Sequence, residues 1–174
     1  MAWIAKNSAT MQIDRRDEPY LTDQLKAKLD DQVLPRYPTR QAATLPVLHA
    51  MQQEHNWLPH QAIEEAADYL KLSAAQVLDT ATFYEESWLE PTGKYLIMVC
   101  QSLTCELMGH DNILKKITDK LAIEPGQTTQ DGKFTLMTTE CLGSCGTAPC
   151  ALLNETLHEN LTAQNVENIL DSLE

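Results

Sequence analysis

The chain has 174 residues, is 43% hydrophobic and carries a formal net charge of −12. That is apolar material for one medium domain, or for a small domain with a substantial extension. The acidity, with no basic stripe to offset it, argues against a nucleic-acid partner, and the absence of a bilayer-length apolar run argues against direct membrane insertion.

The first twenty residues, MAWIAKNSATMQIDRRDEPY, lack the apolar core of a secretory signal and meet acidic residues early. Neither a secretory nor a strong mitochondrial address is read there, and the extreme N-terminus is expected to be flexible. Residues 19 to 33 carry Leu21, Leu25, Leu29 and Val33 at four-residue steps, a helical stripe that Pro35 and Pro38 end. A second helix is expected from Thr39 to about His55, with Leu45, Leu48, His49 and Met51 on a buried side and Pro46 kinking or restarting it. A third covers 60 to 70, with Ile63, Ala66, Ala67 and Leu70 inward. Ser73 and Gln76 form a capping box, and Leu72 and Val77 a hydrophobic staple, for a fourth that ends near Glu86.

The texture changes at Pro91-Thr92-Gly93. KYLIMVC reads as a strand, residues 109 to 122 as a helix with Ile113, Leu114, Ile117 and Leu121 periodic, and EPGQTTQDGK as a turn-rich connection. FTLMTTE alternates as a half-buried strand, and ALLN at 151 to 154 is a short one. A closing helix is capped by Thr162 and carries Val166, Ile169, Leu170 and Leu173. The expected fold class is α+β, with four helices over 1–90 followed by a β-α-β-β-α unit over 91–174.

Five cysteines lie in this second part, in MVCQSLTCELMG and ECLGSCGTAPC. With no export signal they are expected to be reduced, and such cysteines are more often metal-binding or catalytic than bridged. Cys100 and Cys105 follow one strand, and Cys141 and Cys145 follow the next long one, so two loops can converge on one sheet edge. Four thiolates there suit zinc or an iron–sulfur cluster. The intervals of four and three residues are wider than a tight zinc knuckle, but spacing leaves zinc open. No pair has the C-x-x-C spacing of a thioredoxin-type redox site. Gly109, Gly143 and Gly146 nearby argue against inert core thiols, since glycine lets backbone N–H groups approach sulfur.

The pattern C-x₄-C, a gap of thirty-five residues, then C-L-G-x-C followed by Ala-Pro resembles the thioredoxin-like [2Fe–2S] ferredoxin family, the 24-kDa-type subunits of NADH:quinone oxidoreductase, respiratory complex I. ATFYEESWLEPTGKYLIMVC, IEPGQTTQDGKFTL and HNWLPHQAIEEAADYLKL add to the likeness, which covers roughly residues 35 to 173. The resemblance implies an N-terminal helical bundle followed by a thioredoxin-like α/β domain. It implies one [2Fe–2S] cluster held by Cys100, Cys105, Cys141 and Cys145. It also implies a flavin-binding partner subunit that carries FMN and the NADH site, with other peripheral-arm subunits beside it. The location implied is cytoplasmic, on the inner face of a bacterial membrane through the complex.

The same module in an NAD-linked hydrogenase or formate dehydrogenase is the sibling reading, and a structural zinc adaptor the alternative of a different class. Glu85-Glu86-Ser87 stands where relatives often continue with a more apolar stretch. Cys150 is outside the matched set; it reads first as a small buried residue after Pro149, with a ligand swap or a regulatory thiol as the lesser readings. No G-x-G-x-x-G or phosphate loop occurs, so hydride chemistry is expected on a partner. His49, His55 and His60 read as surface or capping residues, and Trp57 and Trp88 as either core or partner-facing anchors.

Overall fold

A computed structural model describes residues 15–173; the expectation of a flexible extreme N-terminus lies outside them. The chain divides into two compact units, Met1–Pro91 and Thr92–Glu174.

In the first unit, Thr22 caps helix α1 (Asp23–Gln32) by accepting a hydrogen bond from the Leu25 N–H, and Leu21, Leu25 and Leu29 are buried. The second helix differs from expectation at its start. A short 3₁₀ turn, Gln41–Ala43, leads into α2 (Thr44–His55). Pro46 therefore falls in the first turn of α2, where an N–H would have had no intrahelical partner, and it needs no kink there. Thr44, Val47, Leu48 and Met51 form the buried side, while Leu45 and His49 are only half-buried. Helix α3 (His60–Leu70) buries Ile63, Ala66, Ala67 and Leu70 as its spacing predicts. The Ser73–Gln76 capping box starts α4 (Ala74–Phe83), which stops three residues short of the expected Glu86. These stripes meet in one core with Leu58 and Val77.

The second unit is a five-stranded sheet with helices packed on it. Strand β1 (Tyr95–Cys100) is followed by a short helix α5 (Leu103–Leu107) and by α6 (His110–Leu121). Strands β2 (Gln127–Thr128), β3 (Phe134–Thr139), β4 (Ala151–Leu153) and β5 (Thr156–His158) precede α7 (Ala163–Asp171). The periodicity of the sequence misses α5, β2 and β5, each too short to show one. The sheet order is β2-β3-β1-β4-β5. Strands β1 and β3 are parallel, in the register Tyr95↔Phe134 to Cys100↔Thr139, and β4 runs antiparallel to β1. Alternation sends Ile97 and Val99 into a core with Ile113, Ile117, Leu136, Val166 and Leu170, and Cys100 to the opposite face. Thr162 and Asn165 form a capping box at α7, and Lys116 of α6 meets Glu167 of α7 at 2.9 Å. Among the described residues, no helix is long and apolar enough to cross a membrane.

The entry to β1 depends on close backbone approach. A Cβ built at Gly93 would lie 2.9 Å from the carbonyl carbon and oxygen of Lys133 and from the carbonyl carbon of Phe134. The Gly93 N–H also donates to Thr135 Oγ1 at 2.7 Å. Gly93→Ala is therefore expected to push β1 from β3 and to destabilise the chain by about 1–3 kcal/mol, the usual range for overpacking. Urea unfolding followed by far-UV circular dichroism checks this, and an unchanged midpoint would refute it.

Candidate metal centre

The site follows from the register. Because β1 and β3 are parallel, their C-terminal ends lie at the same end of the sheet. Cys100 is the last residue of β1, and Cys141 lies two residues beyond the end of β3. The Gln101 N–H donates to Thr139 O at 2.9 Å, which holds the two strand ends together. Cys105 is brought back over Cys100 by α5. The β1–β4 ladder pairs Val99 with Ala151. One step further, the Cys100 N–H donates to Cys150 O at 3.1 Å.

The outcome differs in composition from the set the resemblance implies. Cys100, Cys105 and Cys150 are all buried, and their sulfurs lie within 4.8 Å of one another. Cys105 Sγ and Cys150 Sγ are 3.8 Å apart. Cys141 and Cys145 are exposed, on the loop after β3 and at the start of a 3₁₀ turn, Cys145–Thr147. Cys150 is buried, as the sequence reading has it, but it also shares a pocket with two of the matched thiols. That neighbourhood arises from strand register, which local sequence does not display.

Backbone amides converge on these sulfurs. Cys100 receives backbone hydrogen bonds from Leu142 and Ser102, and Cys105 receives one from Cys150. The Gly143 N–H donates to Cys141 Sγ at 3.4 Å. Burial works against ionisation at Cys100, Cys105 and Cys150. At Cys100 it is the largest single effect, yet the Leu142 and Ser102 amides and the neighbouring thiols together bring the thiol below its ordinary value. Burial first, then the hydrogen bond with Cys100, push Cys105 up. Burial and the proximity of Cys105 push Cys150 up to about 12.

Two supporting residues carry no sequence signal of their role. The His110 ring Nδ1, buried at the start of α6, lies 2.9 Å from Cys100 O and anchors the end of β1. Glu159 accepts from Ser144 Oγ at 2.5 Å and also bonds Thr147, fastening the loop that carries Cys145. Those two hydroxyls, Ser144 first, hold its carboxyl below the usual range. The histidines of the helical unit stay apart. His55 Nε2 contacts Tyr20 O, His60 lies near Glu64, and His49 near Glu86. Trp57 and Trp88 are half-buried.

Soft thiolate donors with inward-pointing amides, placed where two parallel strands end, define a metal–sulfur protein on a thioredoxin-like fold. The donor set fits an iron–sulfur cluster, because burial of anionic sulfur is offset by N–H dipoles from both loops. The sequence matches the thioredoxin-like [2Fe-2S] ferredoxin family over residues 31–174. The chain belongs to that family. A subunit of the NADH-quinone oxidoreductase of Escherichia coli (strain K12) is 37% identical over 135 residues, covering 78% of this chain and 81% of that one. The subunit of the same name from Rickettsia bellii (strain RML369-C) is 38% identical over 154 residues, covering 87% and 92%. Among solved structures, an air-oxidized NAD+-reducing [NiFe]-hydrogenase matches with a TM-score of 0.64 and 26% identity. That match covers 72% of this chain and spans only 22% of the hydrogenase chain.

Exposure and ionisation together order the reactivity of the thiols in the cluster-free chain. Thiolate is the reactive form, so a raised pKa means slower alkylation at a given pH. At pH 8, iodoacetamide is expected to modify Cys141 and Cys145 first and Cys150 last. Peptide mass spectrometry over time reads this order, and early labelling of Cys150 would contradict the structure.

Proposed function

We propose that the chain is a one-electron carrier subunit of an NADH:quinone oxidoreductase, with residues 1–90 as a helical domain and 91–174 as the cluster domain. The observation that carries this is the convergence of the Cys100–Cys105 and Cys141–Cys145 loops at the paired ends of β1 and β3. It is joined to a family membership whose relatives are named for that enzyme. In this reading Cys100, Cys105, Cys141 and Cys145 hold one [2Fe–2S] cluster, which supplies a one-electron relay when bound.

The chain's own residues tune the site. The thiolates of Cys100 and Cys105 bring negative charge into a buried region, which disfavours adding more. The overall charge of −12 works in the same direction, so the site favours a low potential. The amides of Ser102, Leu142 and Gly143 oppose that trend by stabilising charge on sulfur. His110 holds the Cys100 carbonyl, and so the direction in which that thiol points.

The six glycines form no dinucleotide fingerprint. In this reading the hydride step belongs to a partner that binds FMN and NADH. Beside Cys105, α5 and the residue that follows it expose Leu103, Leu107 and Met108 at 68%, 78% and 60%. An apolar patch around a redox centre suits contact with such a partner, since it brings the centre near a subunit surface and excludes water there. Residence on the cytoplasmic face of a bacterial inner membrane follows through the complex. The hydrogenase likeness supports a second reading, in which the same module serves an NAD-linked hydrogenase. Copurification separates the two: membrane-arm subunits support the first, and a nickel-containing subunit the second.

Anaerobically purified protein is expected to hold iron and acid-labile sulfide at about two of each per chain. It should give an EPR signal only when reduced. Cys100→Ala, Cys105→Ala, Cys141→Ala and Cys145→Ala should each lose the cluster, while Cys150→Ala retains it. Zinc without iron or sulfide would sink the redox reading. Leu107→Glu should leave iron content unchanged and weaken capture of the flavin subunit by about tenfold, on the scale of a central interface residue. Unaltered capture would remove α5 from the interface.

A further inference from the structure

Cys150 is outside the four-cysteine set proposed for the cluster, yet it is the thiol the sheet holds most directly against Cys100. The β1–β4 register places the two residues opposite one another, and the Cys100 N–H to Cys150 O bond of 3.1 Å confirms the pairing. Directly opposed residues of an antiparallel pair send their side chains to the same face. Helix α5 then brings Cys105 Sγ to 3.8 Å from Cys150 Sγ.

We propose that in the cluster-free chain Cys100, Cys105 and Cys150 form a site for a single thiophilic divalent cation, with Zn²⁺ as the fitting ion. Zinc–sulfur bonds of about 2.3 Å in tetrahedral geometry separate the sulfurs by about 3.8 Å. One pair is already at 3.8 Å, and all three sulfurs lie within 4.8 Å. Closing the site asks for about 1 Å of side-chain movement at most, within the range of χ1 adjustment. Binding forms three zinc–sulfur bonds and releases the three thiol protons to solvent, which leaves a fourth position for water. One Zn²⁺ with three thiolates carries a net charge of −1. The backbone N–H groups of Leu142, Ser102 and Cys150 reach the Cys100 and Cys105 sulfurs and offset it.

The site uses Cys100 and Cys105, so it excludes the cluster set proposed above. It does not depend on that set being correct. If both hold, zinc bound early blocks cluster assembly, and Cys150 determines how strongly it does so.

The test uses the full-length, reduced, cluster-free chain under anaerobic conditions. Co²⁺ is the spectroscopic probe, and Zn²⁺ displaces it to give the zinc affinity. One Co²⁺ per chain is expected, with thiolate-to-cobalt absorption in the near-ultraviolet. Cys150→Ala and Cys150→Ser should lower that absorption by about one third, one ligand of three, and weaken Zn²⁺ binding by about tenfold or more. Cys141→Ser and Cys145→Ser should change neither quantity. Far-UV circular dichroism of both Cys150 variants confirms that they remain folded. Undiminished cobalt absorption and zinc affinity in the Cys150 variants would overturn the proposal, as would their loss in the Cys141 and Cys145 variants.

A second measurement adds iron and sulfide after one equivalent of Zn²⁺. Cluster formation should be suppressed in the natural sequence and restored in Cys150→Ala. Equal suppression in both would refute the role given to Cys150. Failure of Cys150→Ala to take up a cluster without zinc would instead refute the ligand set in the proposed function.

Discussion

The parallel pairing of β1 with β3 is the constraint on which the site depends. Parallel strands end on the same side, so two cysteine-bearing loops separated by thirty-five residues of sequence emerge beside one another. An antiparallel pairing would have sent them to opposite ends of the sheet. Parallel pairing needs a crossover, and α5 and α6 supply it. Ile113 and Ile117 of α6 pack into the same core as Ile97, Val99 and Leu136. The stability of the crossover and the placement of the thiols are thus one property. Gly93 extends the same constraint to the entry of β1, where backbone passes too close to Lys133 and Phe134 for any side chain.

Charge is the second organising quantity. Buried thiols resist ionisation, and metal or cluster binding requires thiolates. The chain meets this conflict with backbone dipoles and not with basic side chains. Cys100 is drawn down by the Leu142 and Ser102 amides, while Cys150 is pushed up to about 12 by burial and by Cys105. Amides cannot titrate or swing away, so they supply a fixed field around sulfur. At Gly143 this field uses a glycine: its φ of +75° is one that only glycine adopts readily, and its N–H faces Cys141 Sγ, whereas the Gly109 N–H donates to Glu106 O.

Much of the architecture is legible in the sequence because its signals are local. The four-residue leucine step of α1, the Ser73–Gln76 box of α4 and the Thr162 cap of α7 are periodicities or short-range hydrogen bonds, and the structure contains each of them, although α1 spans only Asp23–Gln32 and leaves Leu21 ahead of its cap. Pro46 reads in sequence as kinking or restarting the helix, and the structure has the restart: α2 begins anew at Thr44, with Pro46 in its first turn. Its effect depends on where α2 starts, and the 3₁₀ turn moves that start to Thr44. The short elements α5, β2 and β5 are held by tertiary pairing and carry too few residues for any period to show. His110 and Glu159 escape sequence reasoning for a related reason. A lone histidine at a helix start and an acid in a turn are ordinary surface residues until the chain brings Cys100 O, Ser144 and Thr147 to them.

Residue order alone was enough to establish the helical-then-mixed layout, the chemistry of soft sulfur donors and the family, because spacing within a loop and periodicity within a helix are properties of neighbouring residues. Which thiols share a pocket was settled only by folding. The β1–β4 register sets Cys150 opposite Cys100, and α5 folds Cys105 over both, while Cys141 and Cys145 stay exposed. Strand register is a relation between distant segments, and a shift of one residue would have turned Cys150 to the other face of the sheet.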